Sequence, residues 1–495
     1  MNFTAYLLEL AYGNQNPALI SSSETVSYTE LYQRVIHLSE YIQEEIGTSK
    51  NVLLLSDNNS FFVTAYLAVM LSGNVVVPID TKASDADIIH YADKCEFPIL
   101  LSQEKYSQKL KSLLPHTPII SDNVYLKLRC SEAVQFRETA NNDVAAIIFT
   151  SGSTGEKKGV MLSHENLIEN TTSIVQYLDL QKEDRVCVVL PFFYCYGLSL
   201  LHTHLKVGGS LVLSTHPFIG GALRDIDKYH CTGFAGVPST YQILIANTKF
   251  LQEELPSLRY FTQAGGKLPN NFIKEIADAF PKKEFIVMYG ATEATARMSY
   301  LPAHLCMKKL GSIGKGIPGV KLRVVSENRD INPGEVGEII ASGKNIMQGY
   351  FKDAVGTSEV IVDGWYHTGD LGTVDDDGYI YVVGRSKNII KCGGFRVSPY
   401  EIEEELCKLP SVNDAVVVGY EDAILGEAIA AFICSSSSNT EMLKTDILQH
   451  CRKVFPSHKI PKYMCFVREF PLNSSNKVDR EKLKTMIAND RGFSY

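Results

Sequence analysis

Residues 150–159, Thr-Ser-Gly-Ser-Thr-Gly-Glu-Lys-Lys-Gly, crowd hydroxyls, glycines and two ammonium groups into one short stretch. Backbone N–H, hydroxyl and ammonium donors at this density can wrap an anionic group such as a phosphate. A kinase-type phosphate loop is a different arrangement, because it needs G-x-x-x-x-G-K-[ST] between a strand and a helix. Here the order is Gly152, Gly155, Lys157, Lys158, Gly159, without the Gly-Lys-Ser/Thr ending. The flanks differ as well: 144–149 and 160–162 read as two strands, and only Ser163 offers an N-cap for a helix. The stretch is therefore expected at the tip of a hairpin, and the strong strands on both sides argue against a flexible Ser/Gly linker.

Further stretches carry chemistry-bearing residues: "YGATEA" at 289–294, "GYF" at 349–351, "GWYHTGDLG" at 364–372, "GRSKNIIKCGGFRVSPYEIE" at 384–403 and "NKVDREKL" at 476–483. With the 150–159 tip they resemble, in order and along most of the chain, the adenylate-forming superfamily of acyl-CoA synthetases, aryl-acid ligases, peptide-synthetase adenylation domains and luciferases. The resemblance implies a reaction in two steps. ATP and a carboxylic acid give an acyl-adenylate with loss of pyrophosphate, and a thiol then takes the acyl group with loss of AMP. It also implies roles. Thr150, Ser151, Gly152, Ser153, Thr154, Gly155 and Lys158 would hold the phosphates, with Lys157 standing where the family usually has proline. Glu293 would hold Mg²⁺, a hard cation expected to share few protein oxygens with several phosphate oxygens. Thr292 would bind phosphate beside it. Tyr289 would lie against the adenine, Gly265 and Gly266 would let backbone approach it, and Gly290 and Ala291 would belong to the same nucleotide site. Asp370, aided by Arg385, would accept both ribose hydroxyls.

By the same resemblance Lys477 is the carboxy-terminal lysine that bridges the substrate carboxylate and the α-phosphate. Asn476 precedes it in place of the usual glycine, and Asn tolerates a left-handed backbone better than most residues. Lys387 falls at the hinge. Rotation there would withdraw Lys477 and bring in the loop 391–399, with Lys391 on the adenylate and Gly393 and Gly394 lining the thiol path. The segment "LPFFYCYGLS", 190–199, matches the acyl-pocket lining, with Tyr194 where many acyl-CoA synthetases have histidine and Tyr196 beside it. It contains no acidic residue. An α-amino acid, whose ammonium would be uncompensated in an apolar pocket, is the less favoured substrate. The stretch after Lys477 is too short for a carrier domain, so the expected acceptor is CoA or the phosphopantetheine of a separate acyl carrier protein. Two alternatives stay open: an amino-acid-adenylating enzyme that loads a separate carrier, and a non-catalytic nucleotide-binding homologue. "GKGIPG", 314–319, satisfies G-x-G-x-x-G but contains proline and opens no helix, so it is not a dinucleotide fingerprint.

These residues need a scaffold. Short β-branched runs at 51–56, 75–80, 98–102, 185–190, 209–214, 233–237, 258–263 and 284–289 alternate with helical stretches such as 84–95 and 269–280. Alternation of this kind predicts an α/β fold with two mostly parallel, helix-covered sheets. From about 320 to 384 strands follow one another with turns at Asn332-Pro333-Gly334 and Asp376-Asp377-Gly378, which predicts a small β-barrel-like unit. A compact α+β tail follows. The expected domains are 1–384, a hinge at 385–387, and a mobile 388–495.

Composition bounds the rest. A chain of 495 residues exceeds one compact core, and a net charge of −8 argues against a nucleic-acid or anionic-membrane partner. The first twenty residues lack the basic start and apolar core of a signal peptide, and no apolar run approaches 18 residues, so no membrane insertion is expected. The eleven cysteines show no paired spacing, which fits a reducing cytoplasm.

Overall fold

The computed structural model describes residues 1–125, 139–151, 157–327, 329–435, 439–473 and 477–491. Two large sheets form the body. One has nine strands and carries the parallel run Arg185–Val188, Ser210–Leu213, Gly233–Gly236, Tyr260–Gln263 and Glu284–Tyr289 at its centre. The other has seven strands, with parallel Asn51–Leu55, Val75–Ile79, Leu100–Ser102 and Val144–Ser151. Antiparallel pairs occur toward the edges, where Val144–Ser151 and Lys157–Ser163 make a hairpin. Thr150, Ser151, Lys157 and Lys158 of the opening motif pair across it.

One helix shows why the two sheets act as a unit. Ser60–Leu71 reads Ser-Phe-Phe-Val-Thr-Ala-Tyr-Leu-Ala-Val-Met-Leu, and all its residues are buried. A helix apolar on every side must be enclosed, and this one packs in a hydrophobic core drawn from both sheets. Helix His164–Tyr177 starts at Ser163, whose hydroxyl accepts from the Asn166 amide while the Asn166 side chain returns the bond. That box ties the hairpin to the body.

The strand-rich region folds as a six-stranded antiparallel sheet of Lys321–Ser326, Arg329–Asp330, Gly337–Ser342, Ile361–Val362, Trp365–Val374 and Ile380–Arg385. Gly334 and Gly378 supply the positive φ of its turns, 86° and 77°. A short turn, Ser386–Asn388, leads from this sheet into a second one, which has hydrophobic clusters on both faces. There Asp414–Asp422 and Gly426–Cys434 pair along their length, with helices Pro399–Leu406, Thr440–Val454 and Arg480–Arg491 around them. Among the described residues no helix is long and apolar enough to cross a membrane.

Candidate active site

The hairpin register puts Thr150 opposite Lys158 and Ser151 opposite Lys157. Adjacent strand residues face opposite sides, and the two lysines diverge accordingly. Lys157 reaches Asp87 at 2.9 Å. Lys158 turns toward the strand Gly349–Tyr350, pairing with Asp353 at 3.2 Å and lying 4.6 Å from the Tyr350 ring centre. Gly152, Ser153, Thr154 and Gly155 lie outside the described residues.

Tyr350 then connects this lysine to the acidic motif, for its hydroxyl donates to Glu293 Oε1 at 2.9 Å. Glu293 and Thr292 sit in the turn Thr292–Ala294 that follows strand Glu284–Tyr289. Two backbone features bend the chain there. A β-carbon on Gly290 would overlap the Ala296 carbonyl, so only glycine lets the turn fold back so tightly. Thr295 holds φ of 68°, a strained value for a β-branched residue, and its hydroxyl donates to the Asn345 carbonyl at 2.7 Å. Thr292 itself donates to the buried Cys195 sulfur at 3.4 Å. Ala291 precedes this turn in extended backbone.

Asp370 and Arg385 are register partners on neighbouring strands. Arg385 Nε donates to Asp370 Oδ1 and the Tyr289 hydroxyl to Oδ2, each at 2.6 Å. The carboxylate raises the guanidinium further above its ordinary range, while burial, followed by Asp370, pushes the Tyr289 phenol well up. Tyr289 therefore stays neutral and donates. The sequence placed Tyr289 against adenine; in this structure its hydroxyl reaches the proposed ribose carboxylate.

Lys477 reaches this cleft from the carboxy-terminal unit. Its amide donates to Asn473 Oδ1 at 3.0 Å and its carbonyl accepts from the Asn473 amide at 2.8 Å. The ammonium lies 5.1 Å from the Tyr194 ring centre. Gly265, with φ of 86°, makes room for both: the position its β-carbon would take lies 3.3 Å from the Tyr194 oxygen and 3.5 Å from Lys477 Cε. Gly266 is fixed by the Gln263 side chain, which donates to its carbonyl at 2.8 Å. The Tyr194 oxygen raises Lys477 above its ordinary value against the opposing effect of burial. Burial raises Tyr194 in turn. At neutral pH the pair is an ammonium beside a neutral phenol.

Not every expected residue gathers here. Tyr196 is buried in a separate polar cluster, its hydroxyl 2.9 Å from Thr262 Oγ1 and its ring 5.2 Å from the Arg297 guanidinium. Lys391, Gly393 and Gly394 are exposed on the hairpin Ile390–Cys392 and Phe395–Val397. That hairpin contacts its own domain, with the Lys391 amide on Glu427 at 2.6 Å and the Gly393 amide on Leu425 at 2.9 Å. Lys387 is exposed in the turn between the two smaller sheets.

Comparison with known proteins now decides the family. The family model for AMP-binding enzymes matches residues 10–351, and the model for their C-terminal domain matches 401–477. The chain belongs to the AMP-binding enzymes. It is 30% identical to a 2-succinylbenzoate–CoA ligase of Bacillus licheniformis over 468 residues, 94% of this chain and 96% of that one. A putative acyl-CoA synthetase of Bacillus subtilis is 32% identical over 69% of this chain, and the match spans 63% of that protein. The o-succinylbenzoate CoA synthetase of Bacillus subtilis, solved with its acyl-adenylate intermediate, superposes with a TM-score of 0.85 at 26% identity, covering 98% of each chain. The same synthetase has been solved with ATP and magnesium ion, at a TM-score of 0.84. This chain is an AMP-forming ligase that activates a carboxylic acid with ATP and Mg²⁺ and passes the acyl group to CoA.

Proposed function

We propose that the cleft around Lys477 is where adenylation occurs, with the tail docked for that step. One observation carries the proposal: the Lys477 ammonium, contributed by the last part of the chain, stands beside Tyr194 and Gly265 of the body. In this reading Lys477 bridges the acid carboxylate and the α-phosphate, where positive charge offsets the charge that builds up on the reacting oxygens. Thr150, Ser151 and Lys158, with the hairpin tip, hold the outer phosphates, and Lys158 exchanges Asp353 for them. Thr292 adds a hydroxyl donor. Asp370 releases the Tyr289 hydroxyl to the ribose while Arg385 keeps the carboxylate in place. Gly265, Gly266, Gly290 and Ala291 let adenine approach the backbone.

Glu293 fits the expected metal role. Among the described residues no cluster of three or more His, Cys, Asp or Glu could hold an ion by itself, which suits a Mg²⁺ brought by ATP and completed by phosphate oxygens. When bound it supplies charge neutralisation to the phosphates. After adenylation, residues 388–495 turn about the Lys387 segment, so that Lys477 leaves and Lys391, Gly393 and Gly394 approach along the thiol path.

The substrate we infer is an apolar or aromatic acid without an α-ammonium, since the 190–199 segment beside Tyr194 offers no carboxylate to receive one. The acceptor is free CoA, with a separate carrier protein as the alternative. The ten described cysteines are all free thiols, in keeping with a reducing compartment such as the cytoplasm. A pyrophosphate-release screen over simple, aromatic and amino acids tests this, with 2-succinylbenzoate included because a relative bears that name. Each acid is paired with CoA or a phosphopantetheinylated carrier. Release with a carboxylic acid and CoA is expected. Release with amino acids only, or ATP binding without any adenylate, overturns the reading.

A further inference from the structure

Two adjacent glutamates on helix Pro399–Leu406 face different partners. Glu404 faces the body: its carboxylate accepts from Lys267 Nζ at 2.7 Å and from Asn270 Nδ2 at 2.8 Å. Both donors belong to the segment that follows Gly265 and Gly266, the wall of the cleft. Glu403 faces inward: its Oε1 lies 2.8 Å from Arg480 Nη2 and accepts from the Val417 amide at 2.7 Å. Arg480 also donates to the Val417 carbonyl at 2.6 Å. Arg480 opens the last helix one turn after Lys477. Two charged contacts, joined by the backbone of one short helix, thus link the cleft wall to the start of the helix that follows the reactive lysine. Gln242, donating to Asp414 at 2.7 Å, makes a second polar contact between body and tail.

We propose that Glu404 is a positioning residue for adenylation: clasped by Lys267 and Asn270, it fixes through Glu403 and Arg480 where the Lys477 ammonium stands. This rests on the two-arrangement reading of the mechanism. The chemistry suits a contact that must form and break each cycle. The Lys267–Glu404 pair is partly solvated, its side chains 26% and 38% exposed, and such pairs add little stability. A carboxylate held by two donors from one segment nevertheless accepts only one docking geometry. Glu403 and Arg480, more deeply placed at 13% and 21% exposed, both belong to the tail.

Charge exchange is the test, with both half-reactions measured on the full chain using the acid returned by the screen and its synthetic acyl-adenylate. Glu404→Lys sets two ammonium groups against each other. It is expected to slow pyrophosphate release roughly tenfold and to leave thioester formation from supplied acyl-adenylate unchanged. The retained half-reaction also shows that the variant folds. Lys267→Glu combined with Glu404→Lys should restore pyrophosphate release to within about threefold of the parent. Unchanged release in Glu404→Lys, equal loss of both half-reactions, or no recovery in the exchanged pair overturns the clasp. Lys477→Ala run alongside separates the two ideas. If it fails to divide the half-reactions, the reading of the mechanism fails. If it divides them and Glu404→Lys does not, the clasp alone is wrong.

Discussion

Asp370 draws two other residues of the site together. One carboxyl oxygen is committed to Arg385 and the other to the Tyr289 hydroxyl. Replacing Asp370 by Asn keeps the shape but removes the charge that holds Arg385 and would receive the ribose. Hydrogen bonds to charged groups contribute about 1.5–3 kcal/mol, so the KM for ATP should rise by roughly tenfold or more, with a smaller change in kcat. Steady-state kinetics at saturating acid check this, and an unchanged KM would remove Asp370 from the ribose site. At this scale the sequence was informative only where motifs carried it. Lys477, alone near the end of the chain, would read as a solvated surface lysine. Tyr350 stands within "GYF", where nothing local gives it a role. Its bond to Glu293 joins residues 57 apart in sequence, and no local spacing announces such a contact. Cys195, whose sulfur receives Thr292, lies in an apolar run that announces only burial.

Elements were easier to read. The central strands of both large sheets, the helix Asn270–Ala279 and the cap at Ser163 follow from periodicity and capping chemistry and lie close to where the sequence puts them, whereas strands toward the edges such as Pro17–Ile20 and Ser299–Leu301 carry no such signal. What local pattern could not supply was the order of strands. In the seven-stranded sheet Val144–Ser151 lies beside Val75–Ile79, although a long stretch of chain separates them. The turn after Tyr289 was equally hidden, because its tightness comes from Ala296 folding back on Gly290. Gly290→Ala puts a β-carbon into the Ala296 carbonyl. That variant should lose on the order of 2–3 kcal/mol of stability and displace Glu293. A denaturant midpoint equal to that of the parent would contradict this account of the turn.

For the whole molecule the question is how the tail docks. Asp414 sits at that junction, its carboxylate accepting from Gln242 and from the Ala415 amide. Burial raises it from the ordinary 3.8 to about 7, with Glu403 adding to the rise and Arg480 opposing it. The folded protein therefore keeps a proton that the unfolded chain has lost. Stability from this group is complete below about pH 4, falls as pH rises, and is gone above about 7. Thermal melts between pH 4 and 7.5 should show a steeper decline for the parent than for Asp414→Asn, and parallel curves would refute it. The sequence assigned Asp414 no part at all, since its partner Gln242 lies 172 positions earlier in the chain.

The most direct test is to split the reaction in Lys477→Ala. Loss of a contact made in the transition state costs about 3–4 kcal/mol, or on the order of 10²–10³ in rate. Pyrophosphate release from acid and ATP should fall by that factor, while supplied acyl-adenylate still yields thioester with CoA at the parental rate. Equal loss of both half-reactions, or adenylation that survives intact, would contradict a lysine that the tail brings in for the first step alone.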